Sequence, residues 1–302
     1  MPSTIAKLTT EQKQAWTNRL LRISVYSRRA FFRVWNEIHR TSETAHLQLL
    51  DKMHLVVDRL APVPDFFLRS PHRFISMVDS EYPPTFFELP QPPLGIFIWG
   101  KLQGPYLGIV GSRKPTPYTR RLTREIARLA VDQRHGVVSG GAIGVDGEAH
   151  FACLEANGKT VAILGGGFEH LHPRSHFRLF EKIIQSGGAL VSEYPPNVAP
   201  TAYRFPERNR LIAALSGALF LAQAHERSGS LSTARTALDL GKEIFVLRPP
   251  PGDDQFSGSE KLIQAGARCL TDPADLLLEL SAQREQQREW APKDISLPTL
   301  HS

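Results

Sequence analysis

Residues 108–119 read GIVGSRKPTPYT and contain the pattern from which the fold follows. A short apolar run ends in a glycine turn, and the chain then continues into a segment typical of a helix. The same succession recurs downstream. Short apolar strands that alternate with helices indicate a parallel sheet covered on both faces, so the sequence predicts a doubly wound α/β domain. The predicted strands are Leu107–Val110, Val137–Ser139, Val161–Leu164, Ala189–Ser192, Ala218–Ala222 and Ile244–Leu247.

The predicted helices of this domain lie between and after those strands. They are Tyr118–Asp132, Val145–Asn157, His176–Ser186, Asn209–Ser216, Leu231–Leu240, Ser259–Gly266 and Pro273–Leu280.

The chain on either side of this domain has a different character. Residues 1–75 are polar and predict a small helical domain. Five prolines within YPPTFFELPQPPLG, residues 82–95, exclude a regular helix. We therefore interpret residues 76–105 as a connector and lead-in, 106–280 as the core domain and 281–302 as a polar tail. The helices predicted in the first segment are Glu11–Ile23, Arg28–Arg40 and Ala45–Leu60.

Composition excludes several classes of protein. With 302 residues, 41% of them hydrophobic and 22% charged, the chain has enough apolar mass for a folded core. Its two cysteines are too few for a disulfide framework or a closed zinc site. No apolar run is long enough to span a bilayer, and the N-terminus lacks the apolar region of a secretory signal. We therefore expect a cytoplasmic protein with no membrane segment, metal or cofactor.

The part of the chain that contains the glycine turns is locally basic. The net charge is +6, and residues 101–240 alone contain 17 Lys and Arg against 11 Asp and Glu, a surplus of six. A basic excess beside glycine-rich turns suggests a phosphate-bearing ligand.

The ends of the predicted strands are the expected place for that ligand. In an open parallel sheet, the binding crevice lies beyond the carboxyl ends of the strands. Glycine allows the backbone to approach a ligand there, and free main-chain amides bind anions. The turns at these ends are Gly111-Ser112-Arg113, Ser139-Gly140-Gly141-Ala142, Gly165-Gly166-Gly167 and Ser228-Gly229-Ser230. Together they predict a groove lined for phosphate.

Other nucleotide motifs do not fit. The turn after the first strand lacks the second glycine of a dinucleotide fingerprint, and the second strand ends in Ser139 where that fingerprint needs an acid. No P-loop motif is present. Asp146 and His150 would share a helix face, but two ligands do not make a metal site. We expect Asp146 to cap the helix, His150 to pack under the sheet and Cys153 to be a small buried apolar residue.

The arginines of the core domain indicate which ligand the groove binds. Guanidinium groups bind phosphates in a bidentate manner, and neighbouring aromatic rings can stack with unpaired bases. Arg113 follows the first strand, and FPERNR places two further arginines beside Phe205, with Arg204 and Tyr203 just upstream. This combination favours single-stranded nucleic acid over a lone nucleotide. The alternative is an ion-pair network that joins Arg208 or Arg210 to Glu193 or Glu207.

Several longer motifs follow in order, and together they closely resemble the DNA-processing protein DprA (Smf) family. They are VVSGGAIGVDGEAH (137–150), AILGGG (162–167), VSEYPP (191–196), FPERNRLIAALS (205–216) and SGSLSTARTALDLGKEIFVL (228–247). The resemblance spans roughly Phe74 to Leu280. It implies a Rossmann-like core that binds single-stranded DNA, usually as a homodimer. It also implies loading of the RecA recombinase onto incoming or SSB-coated strands in transformation and recombination, without catalytic turnover.

Carried over residue by residue, the resemblance makes Arg113 the principal DNA contact. Arg174, within HLHPRSHFRLF, falls where the family commonly has a basic residue. The full set of predicted DNA or phosphate contacts is Gly111, Ser112, Arg113, Lys114, Ser139, Gly140, Gly141, Ala142, Arg174, Phe205, Arg208, Asn209, Arg210, Ser228, Gly229 and Ser230.

The sequence departs from the family near its partner-binding segments. Gln223 stands where members often have Glu, and Glu260 stands where they often have Asn. Docking of the recombinase is the property that these departures put in doubt. For Leu262 and Ile263 we consider two roles. They form either an apolar dimer face or part of the core under the last strand.

The alternative function is a nucleotide-acting enzyme similar to the Rossmann-like phosphoribohydrolases. Those enzymes have an acid after the late glycine turn. Here no acid follows Ser228 before Asp239, so the group that would transfer a proton is absent from that turn.

Overall fold

The computed structural model describes residues 9–26, 71–276 and 278–281. The predicted helices Arg28–Arg40 and Ala45–Leu60 lie outside the described residues, as does all but the first residue of the polar tail.

A single sheet, mostly parallel, forms the centre of the described molecule. From β3 to β9 every hydrogen-bonded pair of strands is parallel, whereas β2 pairs with β6 and β1 with β2 in the antiparallel sense. The spatial order is β1-β2-β6-β5-β4-β3-β7-β8-β9. The strands are β1 Arg73–Ser76, β2 Gly95–Gly100, β3 Tyr106–Val110, β4 Gly136–Ser139, β5 Thr160–Leu164, β6 Ala189–Ser192, β7 Ala218–Leu221, β8 Ile244–Leu247 and β9 Arg268–Leu270.

The direction of winding reverses at β3. The chain passes from β3 through β4 and β5 to β6 on one side, and then returns to place β7 on the other side of β3. Leu107 of β3 accordingly pairs with both Val137 and Ala218. In doubly wound sheets the crevice for a ligand opens at such a reversal. The turns after β3 and β7 are thereby brought to one edge of the sheet.

Helices cover both faces of the sheet, which confirms the predicted Rossmann-like, doubly wound fold. Successive residues of a strand point to opposite faces. Leu219 and Leu221 of β7 therefore pack in one core cluster and Phe220 between them packs in the other. Residues 273–276 and 278–281 are also helical. The remaining helices are α1 Thr10–Tyr26, α2 Pro117–Asp132, α3 Val145–Glu155, α4 Phe177–Gln185, α5 Arg204–Leu215, α6 Ser230–Asp239 and α7 Ser257–Gln264.

The sheet begins earlier than the sequence predicts. β1 lies partly in the segment interpreted as helical, and β2 lies in the segment interpreted as a connector. Residues 84–88 between these two strands form a short 3-10 helix, whose first residue, Pro84, is tolerated there because that position needs no amide donor. The connector is therefore an antiparallel extension of the sheet. The sequence analysis also missed β9, whose first two residues are exposed.

Helix α5 also begins earlier than predicted, at Arg204 instead of Asn209. Pro206 is its third residue, and a proline in the first turn removes no helical hydrogen bond. This earlier start places Phe205 and Arg208 on the helix itself. Among the described residues, no helix combines the length and apolar character that crossing a membrane demands.

Candidate nucleic-acid interface

A groove of about 570 Å³ opens at the carboxyl ends of β3 and β7. One wall is the turn after β3, Gly111–Arg113, and the opposite wall is the turn after β7, residues 225–230. The first turns of α5, including Phe205, complete it. The structure thus brings together predicted contacts from segments of the chain that are a hundred residues apart.

Arg113 is an exposed cation at the mouth of the groove. Its guanidinium carbon lies 5.6 Å from the centre of the Phe205 ring, which is within range of a cation–π interaction. The ring packs directly on Gly165, where an added Cβ would come within 2.9 Å of it. Glycine at this position therefore permits the ring to lie against the sheet. Lys114 is also exposed but does not line the groove, and its amide donates to Ser112 Oγ at 3.0 Å.

Arg208 lines the floor of the groove and is only 5% exposed. It donates to the carbonyl oxygens of Gly140, at 2.7 Å, and of Ile163, and to Asn209 Oδ1 at 3.2 Å. Desolvation lowers the pKa of its guanidinium to about 10, so the group remains charged at neutral pH. Because Gly140 and Ile163 belong to the ends of β4 and β5, Arg208 joins the neighbouring strand ends together.

The turn Ser139–Ala142 differs from its predicted role. Asp146 Oδ2 accepts hydrogen bonds from the amides of Gly140 and Ala142, at 3.2 and 3.3 Å. Ser139 is fully buried and donates to the Ile109 carbonyl at 2.6 Å. Ser139, Gly140 and Gly141 thus lie below the groove, and only Ala142 of this turn lines it. Because two of its amides already have a partner, the turn is a rigid support and not the open phosphate cradle predicted from its glycines.

Asp146 itself also differs from expectation. It makes no capping hydrogen bond at the start of α3, and it lines the groove instead. Desolvation raises the pKa of its carboxyl group, an effect that the charge of Arg208 and the two turn amides oppose.

Arg210 is not in the groove. Its Nη2 donates to both carboxylate oxygens of Glu193, at 2.8 and 2.7 Å, in a mostly buried ion pair. The predicted alternative of an arginine–glutamate pair is therefore correct for Arg210, whose assignment as a DNA contact the structure does not support.

The turn after β7 is fixed by α5. Asn209 Nδ2 donates to the Gly229 carbonyl at 3.1 Å and to Ser232 Oγ at 3.0 Å. The Ser228 and Ser230 hydroxyls lie 2.7 Å apart, and nothing lies within 4 Å of a Cβ added at Gly229. The space above this turn is therefore open to a ligand.

Arg174 lines a second, adjacent pocket of about 490 Å³, together with His170, His172 and Phe177. The ring centre of Phe205, which lines the groove, lies 6.0 Å from that of His172, which lines this second pocket. The prediction that Arg174 contacts the ligand thus requires the ligand to extend beyond the groove.

The groove residues that the sequence did not reveal include His225, Arg227 and Thr233. Arg227 is exposed and immediately precedes the Ser228 turn, so its position beside a glycine turn could have revealed it. The Thr233 hydroxyl is buried and has no hydrogen-bond partner, which no sequence pattern signals.

The remaining candidates are structural. His150 Nδ1 lies 2.7 Å from Thr160 Oγ1, and desolvation lowers the pKa of this imidazole to about 3. Cys153 is buried, which raises the pKa of its thiol to about 12. Both residues pack as predicted. Leu262 and Ile263 are half-buried and contact the core. The described part of the chain contains no cluster of metal-ligating side chains.

The fold and groove define a Rossmann-like protein with a basic crevice at the reversal of its sheet. A family model for DNA recombination-mediator protein A matches residues 73–281. The chain therefore belongs to this family, as the sequence motifs predict.

Characterised relatives agree with this assignment. Protein Smf of Escherichia coli is 40% identical over 218 residues, which are 71% of this chain and 58% of that protein. DNA processing protein DprA of Bacillus subtilis is 34% identical over 219 residues, 71% of this chain and 73% of that protein. The chain thus spans less than two thirds of the E. coli relative.

Two solved structures are similar to the chain. The DprA structure of Streptococcus pneumoniae has a TM-score of 0.66 at 29% identity and covers 76% of this chain and 81% of that one. The second is a structure of DNA processing protein A from Helicobacter pylori that describes the binding mode of that protein for single-stranded DNA. Its TM-score is 0.64 at 28% sequence identity. It covers 70% of this chain and 97% of that one.

Proposed function

We propose that this protein binds single-stranded DNA in the groove between β3 and β7. The observation that carries the proposal is the position of Arg113, exposed at the mouth of the groove with its guanidinium against the Phe205 ring. A guanidinium can bind the phosphate backbone while the ring stacks with a base. A base in a duplex is already stacked and paired, so an unpaired strand is the better ligand. The single-stranded DNA binding described for the H. pylori relative supports this proposal.

Fluorescence anisotropy with a labelled oligo-dT strand and a duplex of equal length tests the proposal. We expect tight binding of the single strand, weak binding of the duplex and strong salt dependence. Arg113→Ala should weaken binding of all sequences equally and lower the salt slope by about 0.7, the contribution of one phosphate contact on a single strand.

Arg121→Ala is the matched control, because Arg121 is exposed on α2 and does not line the groove. Equal affinity for the single strand and the duplex would contradict the proposal, as would an unchanged isotherm for Arg113→Ala.

The wider role that we propose is recombination mediation in the cytoplasm, in which a homodimer loads RecA onto SSB-coated strands. Membership of the recombination-mediator family supports it. The test is RecA nucleation on SSB-coated single strands, followed by strand-dependent ATP hydrolysis. No acceleration by the wild-type protein would refute the loading role, and it would leave DNA binding intact.

We also propose that the protein is a binder and not a nucleotide hydrolase. Asp146, a carboxyl group that lines the groove, is engaged by two main-chain amides. Proton transfer requires a carboxyl free to reach its substrate. Release of free base from AMP or a modified nucleoside monophosphate would overturn this interpretation.

A further inference from the structure

Tyr203 lies at the edge of the groove and is 60% exposed. It directly precedes α5, and residues on both sides of it, Ala202 and Phe205, line the groove. An aromatic ring so exposed beside a binding groove leaves apolar area in water unless a ligand covers it.

A stack of side chains supports the Tyr203 ring. The Arg204 guanidinium carbon lies 5.4 Å from the centre of the Tyr203 ring and 4.9 Å from the centre of the Tyr194 ring. Tyr194 is 3% exposed, and its hydroxyl donates to Glu207 Oε2 at 2.7 Å. Arg204 also donates to the Ala199 carbonyl. Tyr203 is therefore held by a guanidinium that itself contacts the buried Tyr194 ring and a loop carbonyl.

The backbone beneath this stack is also held in place. The Gly167 amide donates to the Val198 carbonyl at 2.7 Å, and the Val198 amide donates to the Pro195 carbonyl at 3.0 Å. At the other end of the loop, the Arg204 amide donates to the Thr201 carbonyl at 3.0 Å. Because the loop is ordered by these bonds, a ligand that stacks with Tyr203 loses little free energy in ordering it.

We propose that Tyr203 stacks with a nucleobase of the bound strand outside the groove and so extends the binding site by one base. The proposal rests on the proposed function, since it requires a single strand in the groove. Stacking on an aromatic face accepts any base, so Tyr203 should add affinity without sequence preference.

The test compares two strands that have the same length and charge. One is oligo-dT, and the other is an abasic deoxyribose-phosphate strand, which keeps the phosphates but has no bases to stack. Tyr203→Ala should lower affinity for oligo-dT about tenfold, as expected for one base on one ring, and leave the abasic strand unaffected. Tyr203→Phe should retain wild-type affinity for both. Leu238→Ala, a change at another exposed apolar side chain that does not line the groove, is the control.

The outcomes separate this proposal from the one on which it rests. If Tyr203→Ala lowered the affinity for both strands equally, Tyr203 would maintain structure and would not stack with a base. If the affinity for oligo-dT did not change, the proposal would also be overturned. Arg113→Ala should weaken both strands alike because it removes a phosphate contact. Failure of the wild-type protein to bind either strand would refute the proposed function itself, whereas loss of the Tyr203 effect alone would leave that function standing.

Discussion

The substitution Arg208→Met tests whether Arg208 supports the structure of the groove or contacts DNA directly. Two of the three groove arginines differ in burial, since Arg208 is 5% exposed and Arg113 is exposed. The change keeps an unbranched side chain, although one that is two atoms shorter, and it removes the charge and the hydrogen-bond donors. We expect Arg208→Met to destabilise the fold and to weaken DNA binding as a consequence, whereas Arg113→Ala weakens binding alone.

The magnitude follows from the contacts of Arg208. Its three hydrogen bonds, to Gly140, Ile163 and Asn209, involve a charged donor, and each such bond contributes roughly 1.5–3 kcal/mol. These bonds oppose the desolvation that, partly offset by the charge of Asp146, lowers the pKa of the guanidinium to about 10. We expect a net loss of about 3 kcal/mol on replacement, the lower end of the range for removing one partner of a buried charged contact. For a domain of this size, that loss lowers Tm by roughly 6–12 °C.

Thermal unfolding and anisotropy on the same preparations measure the two effects. Arg113→Ala should change stability by no more than about 0.5 kcal/mol, as is usual for an exposed residue. Arg208→Lys should fall between wild type and Arg208→Met, because an ammonium keeps the charge but cannot reproduce the planar set of donors.

A double variant tests the electrostatic part of this reasoning. Arg208→Met leaves the Asp146 carboxyl without the positive charge that favours its ionised form. Adding Asp146→Asn should therefore recover part of the lost stability. If Arg208→Met instead loses binding with a wild-type Tm, Arg208 contacts DNA directly. The assignment of Arg208 as a support would then be refuted.

Two further predictions concern pH and assembly. Desolvation lowers the pKa of His150 to about 3, so the folded state keeps this imidazole neutral while the unfolded chain takes up a proton below about pH 6.5. Its contribution to stability is thus complete above pH 6.5 and decreases as pH falls towards 3. At pH 5 the loss is about 2 kcal/mol. Urea unfolding at pH 7.5 and 5 should show a smaller decrease for His150→Gln than for wild type, and equal decreases would refute the assignment. If Leu262 and Ile263 form the homodimer face, Ile263→Asp should yield folded monomers by light scattering while Leu238→Asp does not. A monomeric wild type would exclude that face.

Local patterns were sufficient to predict the centre of the sheet. The predicted Ile244–Leu247 coincides with β8, because a four-residue apolar run between two helices can be satisfied only as a buried strand. The glycine turns likewise marked the carboxyl ends of β3, β4 and β5. Both features depend on neighbours in sequence, whereas the order of the strands and its reversal at β3 depend on distant pairings and were not predicted.

The edges of the sheet depend on partners that are distant in sequence. GIFIWG, the β2 segment, is an apolar run that could be a strand, yet its antiparallel pairing with β6 brings together residues about ninety positions apart. The three residues of β9 are too few to show alternation. Neither feature has a local signal strong enough to distinguish it from a loop.

Helix geometry explains why FPERNR supplied only one of its two expected groove arginines. With 3.6 residues per turn, two residues that are two positions apart lie about 200° apart around the helix axis. Arg208 and Arg210, both on α5, therefore point in nearly opposite directions, one to the floor of the groove and the other to Glu193. The sequence analysis started this helix at Asn209, so Arg208 lay outside it and the two guanidinium groups could be assigned to one site.

Burial also divides the groove into two kinds of residue with different consequences for mutation. The buried Arg208 and Asp146 side chains form hydrogen bonds with the turn after β4. A substitution at either residue should therefore lower the stability of the fold, and any effect on DNA binding follows from that loss. Arg113, Arg227 and Tyr203 project from the surface. Because exposed residues contribute little to stability, they can change the affinity for a strand with little effect on the fold. The length of DNA that the protein covers and the salt dependence of its binding are therefore set by these exposed residues. Both properties can vary between proteins that have the same buried residues.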